Sequence, residues 1–409
     1  MALQQSTDWL PTELPVRITL IIGGPSAEHE VSIVSGLQAL RAVRSAKYLA
    51  QVVYWGKTGG WWTGSELETL SAYQDIPSLM KKSDPVDLNF TREKKWLYSR
   101  KSILSRENYQ EVIWPILHGG MGENGAIQGL IEILGFPYIG PRHTFAAVGM
   151  SKMLTKRVAS ALKIPVLPDV IISRSDTLST VFTAMKNTEI KLPVILKPDV
   201  LGSSIGIHIA HTKVELERAL EVVQLLADRT ILEPFHAGAI DLNISVLGIG
   251  PTEQDYLLSP IERPIKSDEL LSFEDKYLRG SGEKLHRTQT EGMASASREI
   301  PAKISASERK QIEQIARTLA VGLQATGVFR IDTLKLPTGK IVMNEINTIP
   351  GSNAFYLWEA QGLSYPNLIQ RLVLDALKIK TSSPSVLNED HVEITPFLQS
   401  AAGEKLSAR

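Results

Sequence analysis

A strand, a glycine turn and a helix follow one another twice in the first third of the chain, and this alternation restricts the fold more than any other feature. Arg17 to Ile22 is a short apolar run ending in Gly23-Gly24-Pro25-Ser26, after which Val31, Val34, Leu37, Leu40 and Val43 recur every three residues. Val112 to Leu117 then reads as a strand and His118 to Gly125 as a loop, with Ile127, Leu130, Ile131 and Leu134 as the buried stripe of a helix stopped by Gly135. The pattern predicts an α/β domain with a parallel sheet whose strand-end loops hold ligand. Between the two units, Gly59-Gly60-Trp61-Trp62 and the charges around Lys81, Lys82 and Lys94 read as a surface excursion.

Further on the character changes. A helical pattern runs from Thr144 through Lys152, Met153, Val158 and Leu162 to Ile164-Pro165, and the strand Leu192 to Lys197 follows one more helical segment. Ile205 to Ala210, Ile231 to Phe235 and Leu242 to Gly250 read as strands with no helix between them, which predicts an antiparallel α+β region. Ser305 with Glu308 is a capping-box signature before Ile312, Ile315 and Leu319, with Gly327 as the stop. Beyond Lys380 the Ser-Ser-Pro stretch predicts a flexible tail over 381–409.

Composition narrows the chemistry. With 44 basic and 44 acidic residues among 409, the chain lacks the field needed to grip a polyanion, so nucleic acid is not the expected partner. No cysteine is present, which leaves oxygen and nitrogen groups to do any chemistry. The first twenty residues lack a basic start and an apolar core, and no stretch reaches the roughly 18 uninterrupted apolar residues of a membrane span. A cytoplasmic protein with no membrane partner is expected.

The chemistry is concentrated between Val328 and Pro350. Phe329 to Leu334 and Ile341 to Asn347 flank Pro337-Thr338-Gly339, a hairpin signature. A turn centred between Thr338 and Gly339 would pair Asp332 with Glu345 and Arg330 with Asn347, all four on one face. Two facing carboxylates repel unless a cation lies between them, and the oxygen donors of Asp332, Glu345 and Asn347 suit Mg²⁺. An exposed hairpin with solvated charges and Arg330 bridging the acids reads the same residues equally well.

Lys197 ends an apolar strand before Pro198-Asp199-Val200-Leu201-Gly202-Ser203-Ser204, a loop able to aim N–H and O–H groups at phosphate, or an ordinary hairpin loop. Lys152 is a second candidate phosphate cation, and the Gly351 N–H, after a strand-ending turn, could face a reacting oxyanion. Gly56-Lys57-Thr58 has the ending of a phosphate loop, but Gln51 stands where that motif needs glycine.

Taken together, these segments resemble the D-alanine–D-alanine ligases of the ATP-grasp superfamily over most of residues 17 to 378. The motifs are Gly23 to Ser32, His118 to Gly125 with Gln128-Gly129, Ser151-Lys152, Lys197-Pro198 with Gly202-Ser203-Ser204, Lys276-Tyr277, Arg330-Ile331-Asp332, and Glu345-Ile346-Asn347-Thr348 with Pro350-Gly351. The resemblance implies a three-domain α/β and α+β architecture. An N-terminal parallel α/β domain (1–141) would carry the first-substrate loops, and two α+β domains (142–234 and 235–380) would clamp ATP.

The resemblance also implies roles. Lys152, Lys197, Ser203, Ser204 and Lys276 would meet the nucleotide and its phosphates, and Glu233, Pro234 and Phe235 the adenine, Pro234 through its carbonyl alone. Asp241 stands where the family has Glu on the ribose. Asp332, Glu345 and Asn347 would hold two Mg²⁺ ions, with Mn²⁺ as substitute. Glu28 would hold the first D-alanine's ammonium, with His118 near its carboxylate, and Arg330 with the Gly351 N–H would stabilise the tetrahedral oxyanion. Glu28, Ser203 and Tyr277 would tie a lid around Ser272 to Gly282 over the site, and Tyr277 implies an amine nucleophile and a dipeptide product. A homodimer is the family's habit.

Two departures stand out. Asn124 replaces the usual Asp, and Ser352-Asn353-Ala354-Phe355-Tyr356-Leu357-Trp358 is bulkier than the stretch that holds the second substrate. Ser352 and Asn353 are the candidates there. A ligase of the same fold with another second amino acid, or a non-catalytic nucleotide- or amino-acid-binding relative, are the rival expectations.

Overall fold

The computed structural model describes residues 14–88, 97–99, 109–202, 204–265 and 298–382. Ser203, Lys94, Lys276, Tyr277, the expected lid and the 383–409 tail therefore lie outside the described residues. The first region comprises β1 (Val16–Gly23), α1 (His29–Ser45), β2 (Leu49–Trp55), β3 (Trp61–Thr63), α2 (Ile76–Lys82), β4 (Asp84–Leu88), β5 (Leu97–Ser99), β6 (Gln110–Pro115) and α3 (Ala126–Ile133). Its six-stranded sheet has the order β5-β4-β3-β2-β1-β6. As expected, β1 runs parallel to both β2 and β6. The segment read as a surface excursion instead adds three antiparallel strands to the β2 edge.

At the end of β1 the chain turns so tightly that a Cβ on Gly23 would lie 2.5 Å from the Trp55 carbonyl oxygen, and its φ is +91°. Only glycine meets both demands. The turn delivers Glu28 to the N-terminus of α1.

The second region holds α4 (His143–Met150), α5 (Lys152–Ala161), β7 (Val170–Ser173), α6 (Leu178–Asn187), β8 (Val194–Pro198), β9 (His208–Ala210), α7 (Lys213–Leu226) and β10 (Arg229–Pro234). Its strands pair antiparallel in the order β7-β10-β8-β9. Two expectations are corrected here. The helical run from Thr144 is broken at Ser151, which caps α5 by accepting the Leu154 N–H. A helix does separate the strands at Ala210 and Ile231: Thr212 caps α7, and Leu216, Ala219, Leu220 and Val223 form its buried stripe.

The third region contains β11 (Ile240–Gly248), β12 (Tyr256–Leu258), β13 (Arg263–Pro264), β14 (Arg298–Glu299), α8 (Ala306–Gly322), β15 (Gly327–Lys335), β16 (Ile341–Asn347), α9 (Phe355–Glu359) and α10 (Tyr365–Ser382). Four strands form an antiparallel sheet in the order β12-β11-β15-β16. The capping box of α8 is present, with Ser305 and Glu308 each accepting the other's backbone N–H, a device worth about 1 kcal/mol. The helix ends at Gly322, however, and Gly327 opens β15 rather than stopping α8.

The β15–β16 register pairs Arg330 with Asn347 and Asp332 with Glu345 as expected, but by a different route. Next to the turn, Lys335 pairs with Ile341 and Thr333 with Met343, so the hairpin centres on Thr338. A β-bulge between Asp332 and Thr333 then leaves Asn344 without an opposite residue and restores the expected pairing at the site.

One hydrophobic core joins the two ends of the chain: Ile33, Leu37, Leu40 and Val43 of α1 belong to the same cluster as Leu368, Leu372 and Val373 of α10. A second core lies between α8 and the β11–β15–β16 strands. A third, holding Val181, Leu196, Leu220 and Leu232, serves the second region. Among the described residues no helix is long and apolar enough to cross a membrane.

Candidate active site

The three regions meet around a cleft enclosing about 720 Å³, part of it open to solvent. Its lining includes Glu28, His118 and Glu123 from the first region, Lys152, Leu201 and Gly202 from the second, and Arg330, Glu345, Asn347 and Gly351 from the third.

The first-region wall is built by turns. Ser26 donates to the His118 carbonyl at 2.6 Å, which ties the Gly23–Ser26 turn to the His118 loop. Glu28 lies between two glycines: a Cβ on Gly119 or on Gly202 would come within 2.7 or 2.8 Å of its Oε2. His118 is buried, its Nε2 lies 3.2 Å from Ser35 Oγ, and burial lowers its pKa to about 4. The ring is neutral near pH 7, and its hydrogen bond to the Ile349 backbone only partly offsets the effect of burial.

Glu123 of the same loop accepts the Gly119 N–H at 3.0 Å and reaches across to the third region, where the Ile349 N–H donates at 3.3 Å and the Thr348 hydroxyl at 3.4 Å. Burial, with the Glu28 carboxylate nearby, pushes the Glu123 carboxyl up to about 7. This residue sits inside a motif visible in the sequence, yet nothing in the spacing marks it as a bridge between regions.

The second-region wall depends on Asp199, also unmarked by sequence reasoning. Its carboxylate accepts the Ser151 hydroxyl and the Met153 N–H, and its carbonyl the Lys152 N–H, so the loop after β8 is fastened to the start of α5. Lys152 donates to the Leu201 carbonyl at 2.7 Å and lies 3.7 Å from Glu345. Deeper, Glu233 is held by two lysines, Lys156 on Oε1 and Lys197 at 2.7 Å on Oε2. Burial opposes its charge, but Lys197 and Lys156 bring its pKa below the usual carboxylate range. Lys156 also pairs with Asp169 at 3.2 Å. The Phe235 N–H is donated to the Pro193 carbonyl. Ser204 adopts φ +62° in the described part of the loop.

On the third-region wall Arg330 clasps Asp332 with two bonds of 2.6 and 2.7 Å, and Asn347 Nδ2 donates to the same carboxylate at 3.0 Å. Burial works against the guanidinium's charge, yet Asp332 lifts its pKa well above the ordinary value. Arg330 thus clasps Asp332, which is buried, and is itself only partly exposed, so the pair is not a solvated surface contact. Asp241 pairs in the ladder with Leu334 and acts electrostatically on Lys197. Asp332, Glu345 and Asn347 offer only oxygen donors of the kind a hard divalent cation takes, so the set fits Mg²⁺. Among the described residues no trio of His, Asp and Glu is close enough to hold a metal by itself.

Ser352 and Asn353 are buried but do not line the cleft; the Ser352 N–H donates to Ser35 and the Asn353 amide to Tyr365. Beyond Arg330, Tyr356 donates to Glu262 at 3.3 Å, and Arg298 both stacks on the Tyr356 ring and bonds Glu262 at 2.9 Å.

Comparison with known proteins identifies the family. Residues 17–141 match the family model described as D-ala D-ala ligase N-terminus, and residues 158–374 the one described as D-ala D-ala ligase C-terminus. The chain belongs to the D-alanine–D-alanine ligase family. A family member from Thermosipho melanesiensis is 30% identical over 358 residues, 88% of this chain and 92% of the relative. Among solved structures, the D-alanine-D-alanine ligase from Coxiella burnetii superposes with a TM-score of 0.73 at 29% identity, covering 90% of this chain and 95% of that one. The VanG D-Ala:D-Ser ligase from Enterococcus faecalis gives 0.70 at 26% identity, covering 88% and 99%. The ATP-grasp fold of the D-alanine–D-alanine ligase family is thus the fold of this chain.

Proposed function

We propose that the protein joins two D-alanines into D-alanyl-D-alanine at the expense of ATP, for peptidoglycan precursor synthesis. The observation that carries this reading is the cleft itself, where Glu28 and His118, Lys152, and Arg330, Glu345 and Gly351 converge from three regions of a chain in this family.

The carboxylate of the first D-alanine attacks the γ-phosphorus of ATP, ADP leaves, and an acyl phosphate results. The amine of the second D-alanine then attacks the acyl carbon, and the tetrahedral intermediate expels phosphate as the amide forms. Glu28 would bind the first ammonium, with His118 near its carboxylate. Lys152 and Lys197 would draw charge from the transferring phosphoryl group, and Arg330 with the Gly351 N–H would meet the oxyanion. Asp332, Glu345 and Asn347 would hold Mg²⁺, which when bound neutralises phosphate oxygens. Support for these roles comes from the oxygen donor set and from lysines held by Leu201 and Glu233.

A panel of single and paired D- and L-amino acids tests the reading. Phosphate release with Mg²⁺ and ATP, with products identified by mass, is expected to give D-Ala-D-Ala from D-alanine alone. Turnover only with another pair, such as D-alanine and D-serine, would overturn the substrate claim. The Tyr356–Glu262–Arg298 cluster beside Arg330 makes the second amino acid the part most worth checking.

A further inference from the structure

Asn344 belongs to no motif, and strict strand alternation would turn its side chain away from that of Glu345. The bulge changes this. Asn344 and Glu345 are both partly exposed while Met343 and Ile346 on either side are buried, so neither of two consecutive side chains is packed into the core. The Asn344 amide oxygen accepts from Lys197 Nζ at 2.8 Å, 147 residues away in sequence, across the junction of the second and third regions.

Lys197 is buried at the end of β8 and has a strong competing partner, Glu233, at 2.7 Å. Glu345 and Asp241 also pull on its charge. An ammonium left among three carboxylates would settle on one of them. A neutral acceptor from the bulge holds it by direction and leaves its charge intact. Glu233 and Asn344 take two of its three N–H bonds, so among the described residues one donor remains for a ligand.

We propose that Asn344 is a positioning residue that, from its bulge in β16, fixes the Lys197 ammonium where the phosphates of the nucleotide bind. The proposal rests on the nucleotide reading of the cleft. One irregularity in the strand thereby does two things: it brings Glu345 opposite Asp332, and it fixes a lysine from the neighbouring region.

The test is a double-mutant cycle on ADP affinity, measured by calorimetry with Mg²⁺, using Asn344→Ala, Lys197→Ala and the double variant. Asn344→Ala is expected to weaken ADP about tenfold, to raise KM for ATP similarly, and to leave KM for D-alanine within twofold. In the Lys197→Ala background the same change should alter ADP affinity less than twofold. Asn344→Leu, which keeps the bulk, should behave as Asn344→Ala does; its circular dichroism and melting temperature check the fold. Unchanged ADP affinity in both Asn344 variants, or an equal weakening with and without Lys197, overturns the proposal. Absence of ADP binding by the wild type would sink the nucleotide reading and this inference with it.

Discussion

The two sides of the cleft handle charge in opposite ways. On the first-region side, buried groups move toward their neutral forms: His118 falls to about 4 and Glu123 rises to about 7. On the side made by the second and third regions, buried groups are ion-paired, with Lys156, Glu233 and Lys197 in one row and Arg330 clasping Asp332, although burial still pushes the Asp332 carboxyl above its ordinary value. Desolvation is relieved by loss of charge on one side and by ion pairing on the other. A wall of turns with few charges suits a small zwitterion held by a few directed bonds, whereas a wall of ion pairs rich in lysine suits a polyphosphate.

The paired side should break hardest. Glu345→Gln is expected to lower turnover on the order of a thousandfold, about 4 kcal/mol, with circular dichroism unchanged. Near-normal phosphate release by that variant would contradict the metal-strand reading. Lys156→Met strips a charge from two buried carboxylates, Glu233 and Asp169, and should destabilise the fold by about 3 kcal/mol in urea unfolding. A loss under 1 kcal/mol would mean that water, not Lys156, solvates those acids.

The neutral side predicts a signature in pH. The Glu123 carboxyl, raised in the folded state, contributes stability below its unfolded value of 4.5 that is lost as pH rises through about 7. His118, lowered in the folded state, contributes in the opposite sense, losing stability as pH falls from 6.5 through about 4. Between these limits the two largely cancel. Glu123→Gln removes one of them, so its melting temperature should fall on acidification from pH 6.5 to 4.5 relative to the wild type, by an amount equivalent to about 2 kcal/mol. Parallel pH profiles of the two proteins would show that Glu123 is ionised like an ordinary surface acid.

The smallest effect is steric. Gly202→Ala places a methyl against Glu28 Oε2 and should raise KM for the first D-alanine about fivefold with little change in melting temperature. An unchanged KM would separate Glu28 from substrate binding.

The alternation that opens the chain was legible because buried parallel strands and a three-residue apolar stripe leave few alternatives, and β1, α1, β6 and α3 stand where it put them. The helix α7 was harder to see. Val214, Val222, Leu225 and Leu226 are exposed apolar residues that blur the stripe of Leu216, Leu220 and Val223. The pairing of Asp332 with Glu345 was reached although the register next to the turn is displaced by one residue, since the bulge at Asn344 compensates. A bulge has no composition of its own, so neither it nor Asn344 could be foreseen. Glu123, Asp199 and Lys156 escaped for a related reason: each acts on a partner distant in sequence, and only the folded chain brings the pair together.

The shared core of α1 and α10 bears on how the molecule is made. The apolar face of α1 has no complete covering until residues beyond Leu368 are available, more than 300 positions after the helix itself is synthesised. The second region, with its own core, can close as soon as β10 has emerged. During vectorial synthesis the middle of the chain should therefore become protease-resistant first, while the opening segment waits with Leu37, Leu40 and Val43 open to a chaperone until the last helix arrives.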